Sequence, residues 1–321
     1  MRIVFFGTSD FAAHILQHVL SCQDIEIVAI VTRPDRPVGR SLVLGSPPVK
    51  QYASMAAPHT PVYQPEKASS MDFEGILRGC CADLFVVVAY GEILKKSVLI
   101  LPRWASINVH ASLLPKYRGA APMQRALMNG DVTAGVTIIE MAEKMDAGAM
   151  LGKAKMQVEE GMTYGDLKKE LQELGAHLLV QVMRSFAAGS VCKQQQSDEE
   201  ATYAPKIAPE EEKIIWKNSA IDVHNHIRAL APQPGAWCYW EINGQKKRLK
   251  IRRSEIARMS CEFDEGVKRE PGEVICFTPN QWTVSCGNGA INILEMQLEG
   301  KKNLSLSEFV NGSRGYPRIL L

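Results

Sequence analysis

The opening of the chain carries the pattern that most restricts its fold. Residues 3–6 form a short apolar run closed by Gly7, apolar residues at helical spacing follow over 11–20, and residues 25–31 alternate like a second strand. A strand, a glycine turn, a helix and a second strand in this order begin a doubly wound α/β sheet. A near-continuous apolar run at 83–89 fits a central parallel strand buried on both faces. The sequence therefore predicts a Rossmann-like domain with a mostly parallel sheet.

Such an opening also raises the alternative of an NAD(P)-dependent dehydrogenase. The dinucleotide-binding fingerprint G-x-G-x-x-G needs three glycines, whereas this chain has Gly7, Ser9 and Ala12 at the three positions. The second glycine lets the backbone approach the pyrophosphate, so its absence disfavours this alternative. A change in NAD(P)H fluorescence on mixing would support it.

The composition indicates the size and class of the protein. A length of 321 residues predicts two domains at about 150 residues each, and 46% hydrophobic residues are enough for ordinary cores. The eight cysteines form no C-x-x-C pair, so we expect reduced, mostly buried thiols rather than a zinc site or a disulfide framework. The chain has no signal-peptide pattern and no apolar run of about 18 residues, which predicts a cytoplasmic protein that does not enter a membrane.

The pattern changes after a long amphipathic helix, which apolar residues at spacings of three and four predict over 163–189. A polar stretch follows, and beyond it the period is two. Residues 236–251 predict a hairpin around a turn at Asn243-Gly244, and further short strands with glycine turns indicate a small, OB-like β-barrel. We therefore predict an α/β domain over 1–189, a linker over 190–208 and a β-barrel domain over 209–321.

The stretch from Ser106 to Pro122 is the best candidate for a functional site. Asn108 and His110 alternate with apolar residues, so they share one face of a strand that ends here. Proline and glycine residues then break regular structure. Open α/β sheets build their sites from the loops that follow strand ends. The alternative interpretation is a structural asparagine and histidine at a strand end.

Basic residues concentrate in two places, although the formal net charge is only +2. The first is the loop at 32–50, whose length is typical of a functional or mobile segment. The second is a predicted strand with six cations between Lys246 and Arg253. These cations either protect a strand edge against aggregation or form a surface that follows phosphates.

The motif N-V-H-A-S-L-L-P-K-Y-R-G-A-A-P at 108–122 resembles that of the formyltetrahydrofolate-dependent formyltransferases. Further blocks similar to the family are G-T-S-D-F-A at 7–12, R-P-D-R-P-V-G-R at 33–40, V-V-V-A-Y-G-E-I-L at 86–94, M-D-A-G-A-M at 145–150 and T-Y-A-P-K-I at 202–207. The resemblance covers nearly the whole chain, and the first motif is far more specific than a glycine pattern.

The resemblance implies transfer of the formyl group of 10-formyltetrahydrofolate to the α-amino group of methionine on initiator methionyl-tRNA, for translation initiation. Tetrahydrofolate would be released, and no metal would be needed. The implied catalytic residues are Asn108, His110 and Asp146. Asn108 and His110 would donate hydrogen bonds to the formyl oxygen, while Asp146 would orient His110 and favour its charged form. We expect the chain to work as a monomer.

The resemblance also implies two groups of binding residues. Those implied for the folate are Tyr90, Ile93, Leu94, Ser112, Leu113, Leu114 and Pro115. For the tRNA, the resemblance implies the loop with Arg36 and Arg40, and the cluster of cations on the predicted strand adds Lys246, Lys247 and Arg248. The chain departs from the family at Ala111, often a glycine, at Ala149, often acidic, and after Arg40, where lysines are common.

Two other functions stay open at this point. The first is formyl transfer to a different amine, such as a nucleotide sugar or glycinamide ribonucleotide. The second domain argues against the glycinamide enzyme, and the loop at 33–40 favours tRNA over the sugar. The second is a non-catalytic RNA-binding protein, which the presence of Asn108, His110 and Asp146 disfavours. Phosphoryl transfer, zinc hydrolysis and serine hydrolysis lack their usual motifs.

Overall fold

The computed structural model describes residues 1–38, 43–242, 245–257, 269–312 and 318–321 of the chain. Two sequence predictions, the role of Arg40 and the turn at Asn243-Gly244, lie outside these described residues. The chain divides into two compact units. The N-terminal unit comprises Met1–Gly119, Ala134–Met156 and Lys168–Ala204, and the C-terminal unit comprises Ala120–Thr133, Gln157–Leu167 and Pro205–Leu321. The domain limits proposed from the sequence stay predictions.

The regular elements of the described residues alternate between strands and helices in the first part of the chain and are mainly strands later. The strands are β1 Arg2–Gly7, β2 Glu26–Val31, β3 Arg36–Val38, β4 Val43–Gly45, β5 Val62–Tyr63, β6 Leu84–Val88, β7 Ala105–His110, β8 Thr133–Glu140, β9 Met150–Gln157, β10 Trp237–Ile242, β11 Gln245–Ile256, β12 Val274–Thr278, β13 Gln281–Ser285, β14 Ala290–Leu298 and β15 Asn303–Ser305. The helices are α1 Asp10–Leu20, α2 Pro48–Ala56, α3 Met71–Gly79, α4 Lys96–Leu99, α5 Pro122–Met128, α6 Tyr164–Ala187, α7 Ala220–Leu230 and α8 Leu306–Asn311.

The large sheet of the N-terminal unit is mostly parallel, which confirms the predicted fold class. Its strand order is β5-β2-β1-β6-β7-β8-β9. Strand β1 pairs in parallel with β2 and β6, and β6 pairs in parallel with β7, whereas β7 and β8 are antiparallel. All residues of β6 are buried, as expected for a central strand covered on both faces. The carboxyl ends of the parallel strands therefore meet at one edge, where sites form in such sheets.

Gly7 ends β1 where the chain turns into α1. A Cβ atom on Gly7 would lie 2.7 Å from the Cβ of Ala12 and 2.7 Å from the ring of Phe5. The side chain of Ser9 caps α1 by accepting a hydrogen bond from the N–H of Ala12 at 3.4 Å. The glycine therefore permits close packing of the strand against the helix. Ser9 and Ala12, which replace glycines of the dinucleotide fingerprint, also form this junction.

The C-terminal unit contains an antiparallel sheet whose two ends are joined by the last residues of the chain. The strand order is β10-β11-β14-β13-β12, and β15 pairs with β14. Tyr239 of β10 exchanges hydrogen bonds of 2.7 and 3.0 Å with Leu321. Arg318 accepts a 3.0 Å bond from Val274 of β12, and the carbonyl of Gly272 accepts a 2.8 Å bond from Leu320. Because β10 and β12 both bond to this segment, the sheet closes into a small barrel, which fits the predicted OB-like domain.

Aromatic side chains fill the barrel. Trp282 is completely buried, with its ring centroid 6.0 Å from that of Trp240 and 5.6 Å from that of Phe309. Leu320 is 1% exposed and belongs to the same core cluster. The C-terminal segment therefore closes the backbone of the barrel and also contributes to its core.

The expectation of mostly buried cysteines is wrong. Of the seven described cysteines, all free, only Cys238 and Cys286 are buried, while Cys81 and Cys192 are exposed. Cys81 lies in a turn with a positive φ of 46° between α3 and β6, where the chain is at the surface.

None of the helices in the described part of the chain combines the length and the apolar character that a membrane span requires.

Candidate active site

Strand β7 carries Asn108 and His110 at its carboxyl end, between β6 and β8. Ile107 and Val109 are buried, and Asn108 is half-buried, as the alternation predicts. His110 is also buried, with 6% of its surface exposed. The pair therefore lies at the end of a strand, in the position expected from the sequence.

Both ring nitrogens of His110 face oxygen atoms of the protein. Nε2 lies 2.9 Å from the carbonyl oxygen of Tyr117, and Nδ1 lies 3.6 Å from Oδ2 of Asp146. A carbonyl oxygen only accepts, so Nε2 must carry a hydrogen and donate the hydrogen bond to the carbonyl of Tyr117. Nδ1 then faces a carboxylate at a distance longer than a hydrogen bond. The ring interacts favourably with both oxygens when both nitrogens carry protons.

Asp146 lies on the loop between β8 and β9, and its position depends on an unusual backbone. Its φ is +52°, in the left-handed region that few residues other than glycine adopt. Its Oδ2 accepts a 2.8 Å hydrogen bond from the N–H of Gly119. The side chain is 14% exposed. The structure therefore brings Asp146 to His110, which the sequence suggested but could not show.

The side-chain amide of Asn108 makes no hydrogen bond to the residues that the structure describes. It is half-buried on the same strand as His110. A half-buried amide with free donors can bind an oxygen atom of a ligand without breaking an existing contact.

The loop after β7 is held by the segment that follows α6. The N–H of Arg118 donates to the carbonyl of Thr202 at 2.8 Å, and Ala204 donates to the carbonyl of Arg118 at 2.7 Å. A Cβ atom on Gly119 would lie 2.7 Å from the carbonyl oxygen of Ala204, and the φ of Gly119 is +124°. Only glycine fits this close approach and this conformation.

The buried guanidinium of Arg118 was not identified from the sequence as a site residue. It donates to Asp198 at 2.7 Å and to the side-chain oxygen of Gln196 at 2.9 and 3.1 Å. Arg118 lies in the R-G pair of the motif, but nothing in the sequence connected it to a partner about 80 positions later. Gln196 lies in a polar stretch without periodicity, so no local signal identified it.

The turn after β6 contains three of the residues predicted to bind the folate. Tyr90 and Leu94 are buried, whereas 73% of Ile93 is exposed. The hydroxyl of Tyr90 is buried without a hydrogen-bond partner among the described residues. Burial, followed by the nearby carboxylate of Glu92, raises the pKa of Tyr90 to about 12, so the hydroxyl stays protonated at neutral pH. An apolar turn with an unpaired donor and an exposed isoleucine fits an aromatic ligand that carries polar edges.

The predicted folate residues 112–115 form a rigid turn. Ser112 donates to the carbonyl of Lys116 at 2.6 Å, and Thr137 donates to the carbonyl of Ser112 at 2.7 Å. The N–H of Leu114 donates to the same Thr137 hydroxyl at 3.1 Å. The Leu114 side chain is completely buried in the core. Leu114 therefore fixes the turn, while Leu113 is only half-buried beside it.

The described cations predicted to bind tRNA are largely exposed. Arg36 pairs with Glu66 at 2.7 Å and 62% of its side chain is exposed. Lys246 and Lys247 are exposed on β11. The guanidinium carbon of Arg248 lies 4.1 Å from the ring centroid of Trp237, which is a cation–π contact.

Other cations of β11 are committed to the barrel itself. Lys250 donates to the carbonyl of Pro234 at 2.6 Å, and Arg252 donates to the carbonyl of Pro232. Burial lowers the pKa of both groups, with Arg252 adding to the effect on Lys250. The basic surface available to a ligand is therefore smaller than the six cations of the sequence indicate.

The described residues contain no group of three His, Cys, Asp or Glu side chains placed to hold a metal ion.

Comparison with known proteins identifies the family. The family model described as "Formyl transferase" matches residues 1–183, and "Formyl transferase, C-terminal domain" matches residues 206–314. The chain belongs to the formyl transferase family. This confirms the resemblance drawn from the motifs and favours formyl transfer over the dehydrogenase alternative.

Relatives with assigned names are similar along their whole length. The methionyl-tRNA formyltransferase of Protochlamydia amoebophila is 44% identical over 97% of this chain and 95% of the relative. That of Chlamydia abortus is 38% identical over 98% of this chain and 96% of the relative. Among solved structures, the N-formyltransferase of Helicobacter canadensis with folinic acid and dTDP-3-aminofucose has a TM-score of 0.62. It is 19% identical and covers 91% of this chain and 98% of its own, so it supports the formyl transferase fold.

Proposed function

We propose that this formyl transferase moves the formyl group of 10-formyltetrahydrofolate to the α-amino group of methionine on initiator methionyl-tRNA. The proposal is carried by the position of His110, which lies between Asp146 and the carbonyl of Tyr117. The free amide of Asn108 lies on the same strand. The names of the relatives, similar over nearly the whole chain, support methionyl-tRNA as the acceptor.

The side chains supply hydrogen bonds where negative charge develops on the formyl oxygen. Nε2 of His110 is occupied by Tyr117, so Nδ1–H is the donor that remains for this oxygen. It is not engaged in a short hydrogen bond, because Asp146 lies 3.6 Å away. Asn108 donates through its amide. Preorganised donors of this kind are worth about 2.7–4 kcal/mol each in the transition state.

Asp146 has two roles in the proposal. Its carboxylate faces Nδ1 of His110 and orients the ring, and it receives, through water, the proton that the attacking amine loses. A carbon–nitrogen bond forms to the methionyl amine, and the bond between the formyl carbon and N10 of the donor breaks. The proton finally passes to N10, so no enzyme nucleophile is required.

We assign each substrate to the residues that the sequence identified for it. 10-Formyltetrahydrofolate supplies the formyl group, and we assign its pterin to the turn with Tyr90, Ile93 and Leu94 and to residues 112–115. We assign the tRNA backbone to the cations that the sequence identified: Arg36, Arg40, Lys246, Lys247 and Arg248. We propose, as expected from the sequence, that the protein works as a monomer. A role in translation initiation would agree with the cytoplasmic location expected from the sequence.

The test is an assay of formyl transfer from 10-formyltetrahydrofolate to four acceptors. These are initiator methionyl-tRNA, elongator methionyl-tRNA, free methionine and a dTDP-amino sugar. Formylation of the initiator alone would support the proposal. Transfer to the sugar, or to none of the four, would contradict it.

A further inference from the structure

Gln196 uses its whole carboxamide in hydrogen bonds. Its Nε2 donates to the carbonyl oxygens of Asp146 at 2.7 Å and Gly148 at 2.8 Å. Its Oε1 accepts from Nε and Nη2 of Arg118 at 3.1 and 2.9 Å. Carbonyls only accept and a guanidinium only donates, so the orientation of the amide is fixed by its partners.

The two ends of this carboxamide contact the two loops that meet at His110. Arg118 directly follows Tyr117, whose carbonyl binds Nε2 of His110. Asp146, at the other end, faces Nδ1 of the same ring. Gln196 therefore links the two loops whose oxygen atoms face Nε2 and Nδ1 of His110.

Both loops contain backbone conformations that must be held by their surroundings. Tyr117 has a φ of +63° and Asp146 a φ of +52°, and neither is glycine. Such residues persist only where neighbouring contacts impose the conformation. A Cβ atom on Gly148 would lie 1.7 Å from the carbonyl oxygen of Glu140, so the loop also passes very close to β8. Gln196 binds the carbonyls of Asp146 and Gly148, on either side of Ala147.

We propose that Gln196 is a positioning residue for formyl transfer, which sets the separation between the Asp146 carboxylate and the His110 ring. This inference rests on the function proposed above. Glutamine fits this position because it presents two donors and an acceptor at the end of one chain. Glutamate would place a carboxylate against two carbonyl oxygens, and lysine would offer no acceptor to Arg118.

The fold does not depend on Gln196 to pair the buried guanidinium. Arg118 keeps a 2.7 Å ion pair with Asp198, which Lys144 also contacts at 2.7 Å. Hydrogen bonds from Lys144 and Arg118 hold the pKa of Asp198 below its usual range, so this partner stays charged at neutral pH. Loss of the glutamine therefore removes the link between the loops while Arg118 keeps a charged partner.

The first test is the variant Gln196→Met, with Gln195→Met as its control. Gln195 is the exposed neighbour in the same polar stretch, so the control makes the same substitution away from the loops. For Gln196→Met we expect kcat to fall about 100-fold, because a small displacement of reacting groups has an effect of this size. We expect KM to stay unchanged for both substrates. Gln195→Met keeps the wild-type rate. A wild-type kcat for Gln196→Met would overturn the proposal.

A double-mutant cycle separates positioning from a general loss of structure. If Gln196 acts through Asp146, the substitution Gln196→Met costs no further activity once Asp146→Asn is present. If the kcat losses of the two single variants multiply in the double variant, Gln196 does not act through Asp146 and the proposal is contradicted. Should Gln196→Met prove unfolded by circular dichroism, Gln196→Glu replaces it in both tests, because it keeps the contact with Arg118 and repels the two carbonyls.

A measurement without substrates distinguishes this inference from the proposed function. In 15N-labelled protein at one fixed pH, Gln196→Met should change the ring nitrogen shifts of His110 and leave those of the exposed His59 unchanged. If the wild-type protein transfers no formyl group and Gln196→Met still changes the His110 shifts, the proposed function is overturned but the positioning role is retained. Unchanged His110 shifts in an active protein would overturn the role of Gln196 alone.

Discussion

Nδ1 of His110 lies 3.6 Å from Oδ2 of Asp146, and both side chains are largely buried in the N-terminal unit. Buried polar side chains are stable only when hydrogen bonds satisfy them. Gly119 donates to Asp146, and the carbonyl of Tyr117 accepts from His110. The pair is therefore preorganised before any substrate arrives, and the proposed formyl transfer depends on this preorganisation.

Asp146→Asn should reduce kcat by about 100-fold, because the ring of His110 no longer faces a carboxylate and the amine loses its proton acceptor. The side-chain oxygen of asparagine still accepts from Gly119, so we expect the fold to survive. Steady-state assays and thermal melting check both expectations. Asp72→Asn, at an exposed position of α3, is the control. A turnover equal to that of the control would contradict the role of Asp146.

Gly148→Ala should disturb the loop that carries Asp146. The added Cβ would lie 1.7 Å from the carbonyl oxygen of Glu140, so the loop or β8 must shift. We expect a cost of about 1–3 kcal/mol in the free energy of unfolding, together with a loss of kcat. Gly161→Ala is the matched control, because nothing lies within 4 Å of its added Cβ. Equal urea-unfolding curves and equal rates for the two variants would refute this expectation.

Glu211→Gln tests a pH-dependent ion pair in the C-terminal unit. Hydrogen bonds from Arg125 at 2.6 and 3.0 Å, and then one from the N–H of Ala208, lower the pKa of Glu211 from 4.5 to about 2. A carboxyl group with a lowered pKa stabilises the fold above its unfolded value, and this contribution is lost as pH falls from 4.5 to about 2. Since 41% of the side chain is exposed, we expect at most about 1 kcal/mol.

The corresponding measurement is urea unfolding of wild-type protein and Glu211→Gln at neutral pH and near the lower limit of this range. The variant should be less stable at neutral pH and equal to wild type at the acidic end. Glu210→Gln, the exposed neighbour, should match wild type at both. A difference that persists unchanged in acid would show that the charge of Glu211 is not its cause.

Leu320→Ala should destabilise the barrel. Leu320 is 1% exposed in the core, so its truncation should cost about 2–5 kcal/mol in the free energy of unfolding. Leu321→Ala is the control, because Leu321 is 37% exposed and its bonds to Tyr239 use only the backbone. Denaturant unfolding followed by tryptophan fluorescence measures both variants. A negligible loss for Leu320→Ala, equal to that of the control, would mean that the segment acts only through its backbone.

The sequence predicted the features of the fold that depend on local patterns. The apolar run of β6, with all residues buried, and the alternation of Asn108 with buried neighbours are visible in a few consecutive residues. The long helix α6 follows from its repeat of leucines. These predictions are confirmed because burial alone decides them.

Features that join distant parts of the chain could not be predicted in this way. The contact of Gln196 with Arg118 spans 78 positions, and that of Arg125 with Glu211 spans 86. The closure of the barrel by residues 318–321 involves a segment too short to show a period. The position of Asp146 near His110 depended on the family resemblance, because an aspartate before Ala-Gly is otherwise ordinary turn chemistry.

The most direct test of the account is the rate of formyl transfer from 10-formyltetrahydrofolate to initiator methionyl-tRNA by wild-type protein and His110→Ala. His59→Ala, at an exposed position, controls for the loss of a histidine. We predict active wild-type and control proteins, and a kcat about 100- to 1,000-fold lower for His110→Ala, whose fold stays intact. A folded His110→Ala protein with wild-type turnover would contradict the assigned mechanism.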